Sequence, residues 1–179
     1  SRIASIKRLS SVKSKVSCHY LLDRKGQILK MVDEDKVAWH AGKSKWKSFI
    51  NLNKYSIGIE LVNKGHDYGY ESFTNLQIKR LIELCLKLKK KYNIKISNIV
   101  GHSDIAPFRK IDPGEKFPWI KLEKNNLGIC YKKSILKTKQ LKNEKTEKLF
   151  FRNLHKIGYR YFNLSKRNKN DIFVVKAFQ

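Results

Sequence analysis

All the prolines of this 179-residue chain lie in one short stretch, at positions 107, 113 and 118. Proline fixes φ and has no backbone N–H to donate, so it is unfavourable inside a helix or a central strand. The sequence therefore predicts a stiff loop over residues 99–119, IVGHSDIAPFRKIDPGEKFPW. Beyond this loop the turn signals disappear, and we place a domain boundary near residue 128.

Two segments ahead of the loop show the patterns of β-structure. Residues 18–32 predict a β-hairpin that turns at Asp23–Gly26. Residues 55–62 alternate: Ile57, Ile59 and Leu61 would face one way, and Ser56, Gly58 and Glu60 the other. This pattern predicts a strand with open space above its small residues, beside Glu60. The alternative is an exposed glutamate on a solvated strand face.

A long helix and a further strand are predicted next. Thr74 and Gln77 have the spacing of a capping box, and an apolar period of 3.6 residues follows them. Cys85 falls on the apolar face, so we interpret it as a core residue. A short strand is predicted over 98–102.

Composition excludes some classes of protein. The formal net charge is +25, from 40 Lys and Arg against 15 Asp and Glu. Such a charge would attract any polyanion, nucleic acid or an anionic cell wall, but we prefer compositional drift, because Lys, Asn and Ile are frequent together throughout the chain. The basic residues are spread along the chain, which argues against a specific nucleic-acid surface. No apolar run approaches about 18 residues, so no transmembrane segment is predicted. Three scattered cysteines do not make a disulfide framework or a zinc knuckle.

The proline-rich loop carries a candidate metal site. Its predicted strand ends at His102, and Asp112 follows with Lys110 two positions earlier. Histidine and aspartate are both good zinc ligands, but a catalytic zinc has three protein ligands and one open position. The alternative is a hydrogen-bonded His–Asp pair without metal. Lys110 would face charge that develops in a transition state.

Four sequence blocks carry a family resemblance: VSCHYLL, AWHAG, NKYSIGIELVN and GHSDIAPFRKIDPG, in that order. Together they resemble the type-2 N-acetylmuramoyl-L-alanine amidases, most closely the AmpD/AmiD-like branch of bacterial peptidoglycan amidases. That branch shares its fold with phage lysozyme-type amidases and peptidoglycan recognition proteins. The resemblance covers residues 5–122 and implies an α/β fold, with a central mixed β-sheet flanked by helices and a small helical C-terminal extension.

The resemblance also implies an activity. It is the zinc-dependent hydrolysis of the amide between N-acetylmuramic acid and L-alanine, in peptidoglycan or muropeptides. His102 and Asp112 would bind Zn²⁺, Glu60 would act as the base and Lys110 would be catalytic. The alternatives are a peptidoglycan-binding module without catalysis and, ranked last, a basic nucleic-acid-binding protein.

Three further residues are expected to bind substrate: Arg109, His40 and Trp39. Arg109 could contact a carboxylate of the stem peptide, because a guanidinium forks onto carboxylates. The first zinc ligand of the family is a histidine on an early strand, and no matching motif is found here. The chain therefore resembles a piece cut at both ends, with the third zinc ligand expected upstream.

The resemblance divides the chain into three parts. Residues 1–127 would form the zinc amidase domain, 128–148 a basic linker, and 149–179 a partial helical module like those that bind peptidoglycan. Leu149, Leu154 and Ile157 would share the face of one helix, and a second helix would carry Val174. Because this module accompanies AmiD-like amidases, we expect a cell-envelope location, periplasmic or secreted, with the cytoplasm as the alternative.

Overall fold

The computed structural model of the protein describes residues 2–130 and 144–178. Its strands are β1 Tyr20–Leu22, β2 Ile28–Lys30, β3 Lys45–Trp46, β4 Phe49–Ile50 and β5 Ile59–Leu61. Its α-helices are α1 Arg2–Leu9, α2 Asn75–Tyr92, α3 His102–Ile105, α4 Trp119–Glu123, α5 Glu144–Ile157 and α6 Asp171–Phe178. Short 3₁₀ helices cover Val12–Ser14, Leu52–Lys54, His66–Tyr68 and Ile96–Asn98. None of the helices in these ranges is long and apolar enough to cross a membrane.

The central sheet is mixed, which confirms the predicted fold class. Its strand order is β2-β1-β5, with β1 antiparallel to β2 and parallel to β5. The predicted hairpin is present, and residues 55–62 do contain a strand, although only β5 pairs regularly. A separate antiparallel pair, β3 and β4, follows the loop that contains AWHAG.

Helices cover both faces of this sheet. Successive side chains of β1 point to opposite faces and all three are buried, so each face needs a covering helix. Tyr20 packs with Leu84 and Leu88 of α2 on one face, and Leu22 packs with other residues of α2 on the same side. Leu21 lies on the opposite face, in a cluster with Ile6 and Leu9 of α1. The sheet is therefore the middle layer between α1 and α2.

Helix α2 confirms the predicted long helix, with one difference at its cap. The hydroxyl oxygen of Thr74 accepts a hydrogen bond from the backbone N–H of Gln77 at 3.1 Å. The Gln77 side chain does not return to the cap. It donates instead to the backbone carbonyls of Leu22 and Val62, at 3.1 and 3.2 Å. The Leu22 carbonyl already accepts the Val62 N–H at 2.9 Å, so Gln77 adds a second donor there and ties α2 to the ends of β1 and β5.

The strand predicted over 98–102 is wrong. A 3₁₀ turn at Ile96–Asn98 is followed by irregular backbone and then by α3, which begins at His102. The Asp104 carboxylate accepts the backbone N–H of Gly101 at 2.7 Å, which caps this short helix. His102 therefore stands on the first turn of a helix and not at the end of a strand.

The C-terminal helices pack against the part of the chain that precedes residue 128. Phe151 and Leu154 of α5, Tyr159 and Val174 share one buried cluster with residues of the preceding domain: Ala41, Trp46, Leu52, Ile105 and Ala106. The Trp46 and Tyr159 rings meet edge to face, 4.9 Å between centroids. This segment therefore shares a core with the preceding domain.

Two expectations about this segment change. Helix α5 already begins at Glu144, inside the range predicted as linker, while residues 131–143 of that linker lie outside the described residues. Leu149 is solvent-exposed and is not on the buried face, where Phe151 lies with Leu154. Helix α5 ends at Ile157 as predicted, and the Gly158 N–H returns to the Leu154 carbonyl at 3.0 Å.

The shared core generates a stability prediction with a matched control in the same helix. Leu154 is 1% exposed and Leu149 is 56% exposed. We expect Leu154→Ala to lower the free energy of unfolding by about 2–5 kcal/mol, because it opens a cavity in the core. Leu149→Ala should change it by less than about 0.5 kcal/mol. Urea denaturation measures both, and equal effects would show that α5 does not share the core.

Candidate active site

The structure brings together the two predicted metal ligands, His102 and Asp112. The Nδ1 atom of His102 lies 3.0 Å from Oδ2 of Asp112. The Ser103 backbone N–H also donates to the Asp112 carbonyl at 2.9 Å, so the start of α3 is tied to the loop twice. Asp112 stays accessible to solvent on its other side, whereas the His102 side chain is mostly buried.

The segment after Asp112 is held by close packing. Tyr70 donates from its hydroxyl to the Pro113 carbonyl at 2.5 Å. A Cβ atom at Gly101 would lie 2.7 Å from the Pro113 ring, so only glycine permits this approach. Gly101 of the motif GHSDIAP is thus required where α3 meets the Asp112 loop.

Glu60 lies on β5, within electrostatic reach of His102 and Asp112. Glu60 is exposed by its surface area, yet the surrounding protein desolvates its carboxyl. Burial raises the pKa of the Glu60 carboxyl above its usual range, and the charge of Asp112 raises it further. His102 and Lys110 oppose this rise with their positive charge. A carboxyl that binds its proton more tightly than usual is suited to proton transfer.

Lys110 is the cation shared by the two carboxylates. Burial raises the pKa of Asp112, but the hydrogen bond and charge of His102, together with the charge of Lys110, bring it below its ordinary value. Lys110 also acts on Glu60, as described above. Its ammonium group therefore sits in the field of both acids, and the charge-stabilising role of Lys110 stays a prediction.

A cleft of about 280 Å³ opens next to the pair. Five of the predicted site residues line it: Trp39, His40, His102, Arg109 and Lys110. Sequence reasoning missed Lys15, Val16 and Asn53, which also line it. Val16 and Asn53 each begin one of the motif blocks, but neither carries a reactive group that would mark it as a site residue. The structure thus brings the expected substrate-binding residues to one surface, next to the expected metal ligands.

His40 fills the space that the sequence left open above β5. A Cβ atom at Gly58 would lie 2.3 Å from the His40 ring, and Ser56 Oγ is 2.9 Å from His40 Nε2. The small residues of this strand face therefore accommodate a histidine, and the expected empty space is not there. Burial, with the charge of nearby His19, lowers the pKa of His40 to about 4, so the ring is neutral at neutral pH.

The described residues supply no third metal ligand beside His102 and Asp112. His19 accepts the Gly58 N–H with Nδ1 at 3.0 Å and meets the Lys36 carbonyl with Nε2 at 3.1 Å. His66 pairs with Glu115 at 2.9 Å. Both ring nitrogens of His19 and one ring nitrogen of His66 are therefore already engaged within the protein.

Asp104 is a site-supporting residue that sequence reasoning missed. It is buried, it caps α3, and it accepts the Tyr159 hydroxyl at 2.5 Å. Burial raises the pKa of Asp104 to about 6, although both hydrogen bonds oppose the rise. The aspartate of GHSDIAP was visible in the sequence, but nothing there indicated a partner 55 residues away.

A carboxylate and a lysine beside a His–Asp pair in an open cleft are typical of a metal-assisted hydrolase. A family model described as N-acetylmuramoyl-L-alanine amidase matches residues 2–115, and the chain belongs to this family. The N-acetylmuramoyl-L-alanine amidase AmiD of Escherichia coli is 42% identical over 125 residues, which are 63% of this chain and 45% of that protein. The chain thus spans about half the length of the curated relatives it matches.

Solved structures agree with this assignment. The complex of E. coli AmiD with the substrate anhydro-N-acetylmuramic acid-L-Ala-D-gamma-Glu-L-Lys superposes with a TM-score of 0.81 at 31% identity. That match covers 99% of this chain and 74% of AmiD. AmpDh3 of Pseudomonas aeruginosa, in complex with anhydromuramic pentapeptide, gives 0.80 at 30% identity, covering 99% and 76%. The matches include the C-terminal helices as well as the sheet.

The buried Asp104 generates a prediction about stability and pH. Its pKa in the folded protein is about 6, against an ordinary 3.8, so the folded state holds this proton more tightly. Stability from this group is complete below pH 3.8 and is lost as pH rises to about 6, by at most about 3 kcal/mol. Asp104→Asn should remove this loss, so the variant gains stability over the parent across that window. Urea denaturation of metal-free protein at several pH values measures it.

Tyr159→Phe is the control for this prediction. The Tyr159 hydroxyl lowers the pKa of Asp104. Its removal should therefore raise that pKa further and extend the loss of stability to higher pH. Parallel pH profiles for the parent chain and Asp104→Asn would contradict the assignment.

Proposed function

We propose that the protein is a zinc-dependent amidase that hydrolyses the bond between N-acetylmuramic acid and L-alanine in peptidoglycan or muropeptides. The observation that carries this proposal is the 3.0 Å approach of His102 Nδ1 to Asp112 Oδ2, with Glu60 and Lys110 in their electrostatic field. Membership in the amidase family supports it. The muropeptide class is supported by AmiD and AmpDh3, which were each solved with an anhydromuramic peptide.

The donor pair fits zinc. Ligand bonds of about 2.1 Å in a tetrahedral site place two ligand atoms roughly 3.3 Å apart, close to the observed separation of His102 and Asp112. Imidazole nitrogen and carboxylate oxygen are both ordinary zinc ligands. His102 and Asp112 would hold the ion, with a third protein ligand from outside the described residues. A bound zinc would polarise the amide carbonyl and lower the pKa of a water.

Glu60 and Lys110 supply the remaining chemistry in this proposal. Glu60 takes a proton from the attacking water and returns it to the leaving amine, since its raised pKa suits both transfers. Lys110 stabilises the negative charge that develops on the carbonyl oxygen. Neither residue needs to bind metal for these roles.

The cleft beside the pair would hold the substrate. Trp39 is 53% exposed and offers an aromatic face to a sugar or peptide. Neutral His40 forms part of the cleft wall without adding charge. Arg109 lines the same cleft and would face the carboxylates of a stem peptide.

The alternative function is peptidoglycan binding without catalysis. The two-ligand donor set among the described residues favours it, whereas Glu60 and Lys110 have no role in it. The high net charge would support association with any polyanion, including nucleic acid, but it leaves the His102–Asp112 site unexplained. Metal analysis combined with digestion of dye-labelled peptidoglycan separates these functions.

We place the protein in the cell envelope, with the cytoplasm as the alternative. The sequence resemblance associates the C-terminal helical module with AmiD-like amidases, and the superposition on AmiD extends over these helices. We retain residues 1–127 as the amidase domain and 149–179 as a peptidoglycan-binding-like helical module. Because the module shares a core with the domain, it would present substrate at a fixed distance from the cleft.

Glu60 gives the first test of this mechanism. We expect Glu60→Ala to retain bound zinc but to lower turnover by about 10²–10⁴, the range for loss of a general base. Zinc content and hydrolysis of a muramoyl-L-alanine substrate are measured on the same preparation. Loss of zinc together with activity would make Glu60 a ligand and contradict the assigned role.

Lys110 gives the second test. Lys110→Ala should keep fold and metal while slowing hydrolysis by ~10²–10³, as for loss of an oxyanion donor. Lys110→Arg should restore only part of the rate, because a planar guanidinium does not replace a compact ammonium. Full activity in the alanine variant would show that Lys110 is an ordinary solvated loop residue.

A further inference from the structure

The Arg109 guanidinium group is bound to main-chain carbonyls across the cleft. Its Nε and Nη2 atoms donate to the Lys43 carbonyl at 3.1 and 2.9 Å, and Nη2 also donates to the Ala41 carbonyl. Both carbonyls belong to the loop that contains AWHAG. Arg109 therefore fastens this loop to the residues that follow α3.

The loop is shaped to receive this side chain. Gly42 has φ +57°, and a Cβ atom there would lie 3.1 Å from Arg109 Nη2. On its other side the loop is held by Asn53, whose side-chain oxygen accepts the N–H groups of Ala41 and Gly42 at 2.7 and 3.1 Å. The Ala41 carbonyl is therefore fixed in direction by contacts on both sides.

That same carbonyl faces His102. The His102 Nε2 atom lies 3.1 Å from the Ala41 oxygen and 3.4 Å from Arg109 Nη2. A carbonyl oxygen only accepts, so the shorter contact is favourable when Nε2 carries the proton. Without a metal, the 3.0 Å contact between Nδ1 and the Asp112 carboxylate is a hydrogen bond only when Nδ1 also carries a proton. A cation bound between these two atoms would displace that proton, and Nδ1 would then offer its lone pair beside the Asp112 carboxylate while the Nε2 proton stays on the Ala41 carbonyl.

We propose that Arg109 is a positioning residue: through the Ala41 carbonyl it holds the proton of His102 on Nε2 and leaves Nδ1 as the metal-binding atom. This inference rests on the proposed function, in which His102 is a metal ligand. It assigns Arg109 a role that acts on the metal site itself, in addition to any contact with substrate. Such outer contacts commonly fix the tautomer and orientation of a metal-binding histidine.

Two competing arrangements make different predictions. If Arg109 only contacts a carboxylate of the substrate, its removal changes KM and leaves metal affinity alone. If Nη2 donates to an unprotonated Nε2, then the His102 proton sits on Nδ1, and the ring cannot bind a metal through that atom without losing it.

The test compares Arg109→Ala with Lys43→Ala in the full chain. Lys43→Ala is the matched control. It removes one positive charge from the loop that Arg109 binds, but it keeps the Lys43 backbone carbonyl that accepts from Arg109. Zn²⁺ affinity is measured by competition with a chelating dye. We expect Arg109→Ala to weaken zinc binding about 10–100-fold, the usual effect of losing an outer-shell contact, and Lys43→Ala to change it less than about twofold.

A second readout reports the proton directly. In ¹⁵N spectra of histidine-labelled, zinc-loaded parent chain, His102 should show a protonated Nε2 and a metal-bound Nδ1. Arg109→Lys keeps the positive charge but loses the planar guanidinium that donates to two carbonyls. It should weaken zinc binding more than Lys43→Ala and less than Arg109→Ala. Circular dichroism of each variant confirms that it is folded.

Several outcomes would overturn the inference. They are unchanged zinc affinity in Arg109→Ala, an equal loss in Lys43→Ala, a His102 proton on Nδ1, or no zinc binding by the parent chain. None of these measurements needs amidase activity. A chain that binds zinc in this way but never cleaves the amide would therefore refute the proposed function and leave the role of Arg109 intact.

Discussion

The buried carboxylate of Asp104 connects the candidate site to the rest of the molecule. One of its oxygens caps the helix that begins with His102, and the other accepts the hydroxyl of Tyr159. Removing a carboxylate from water is costly unless its oxygens are hydrogen-bonded, and here both are. The direction of His102 is thus coupled to the C-terminal segment, although the two are far apart in sequence.

The site is assembled mainly from main-chain contacts. His102 faces the carbonyl of Ala41, Arg109 binds the carbonyls of Ala41 and Lys43, and Asn53 holds the N–H groups of the same loop. Backbone groups of packed loops have fewer alternative positions than long side chains, so they fix ligand directions well. The chemistry is carried by a few side chains, and the loops around them provide rigidity.

Local patterns allowed much of the fold to be predicted. The hairpin of β1 and β2, helix α2 with its Thr74 cap and the end of α5 at Gly158 each depend on neighbours in sequence. The mixed sheet and the residues around the cleft came from the motif blocks, because a family pattern records spatial proximity that periodicity cannot. The roles of the site residues stay predictions.

The elements that were missed or mispredicted depend on distant partners. The apolar residues before His102 resembled a strand, but Asp104 caps a helix there. Gln77 matched a capping box, yet two buried carbonyls of the sheet take its side chain. Leu149 fitted the helical period of α5, but the core that selects the buried face of this helix includes residues much earlier in the sequence, such as Trp46 and Ile105.

The contact between His40 and Gly58 couples the side chains that positions 40 and 58 can carry. Because a Cβ atom at position 58 would come within 2.3 Å of the His40 ring, a larger residue there requires a smaller one at position 40. Ser56 would then lose its partner on His40 Nε2. Any change in the wall of the cleft at His40 must therefore be matched within the central sheet, and this part of the binding surface can diversify only by paired substitution.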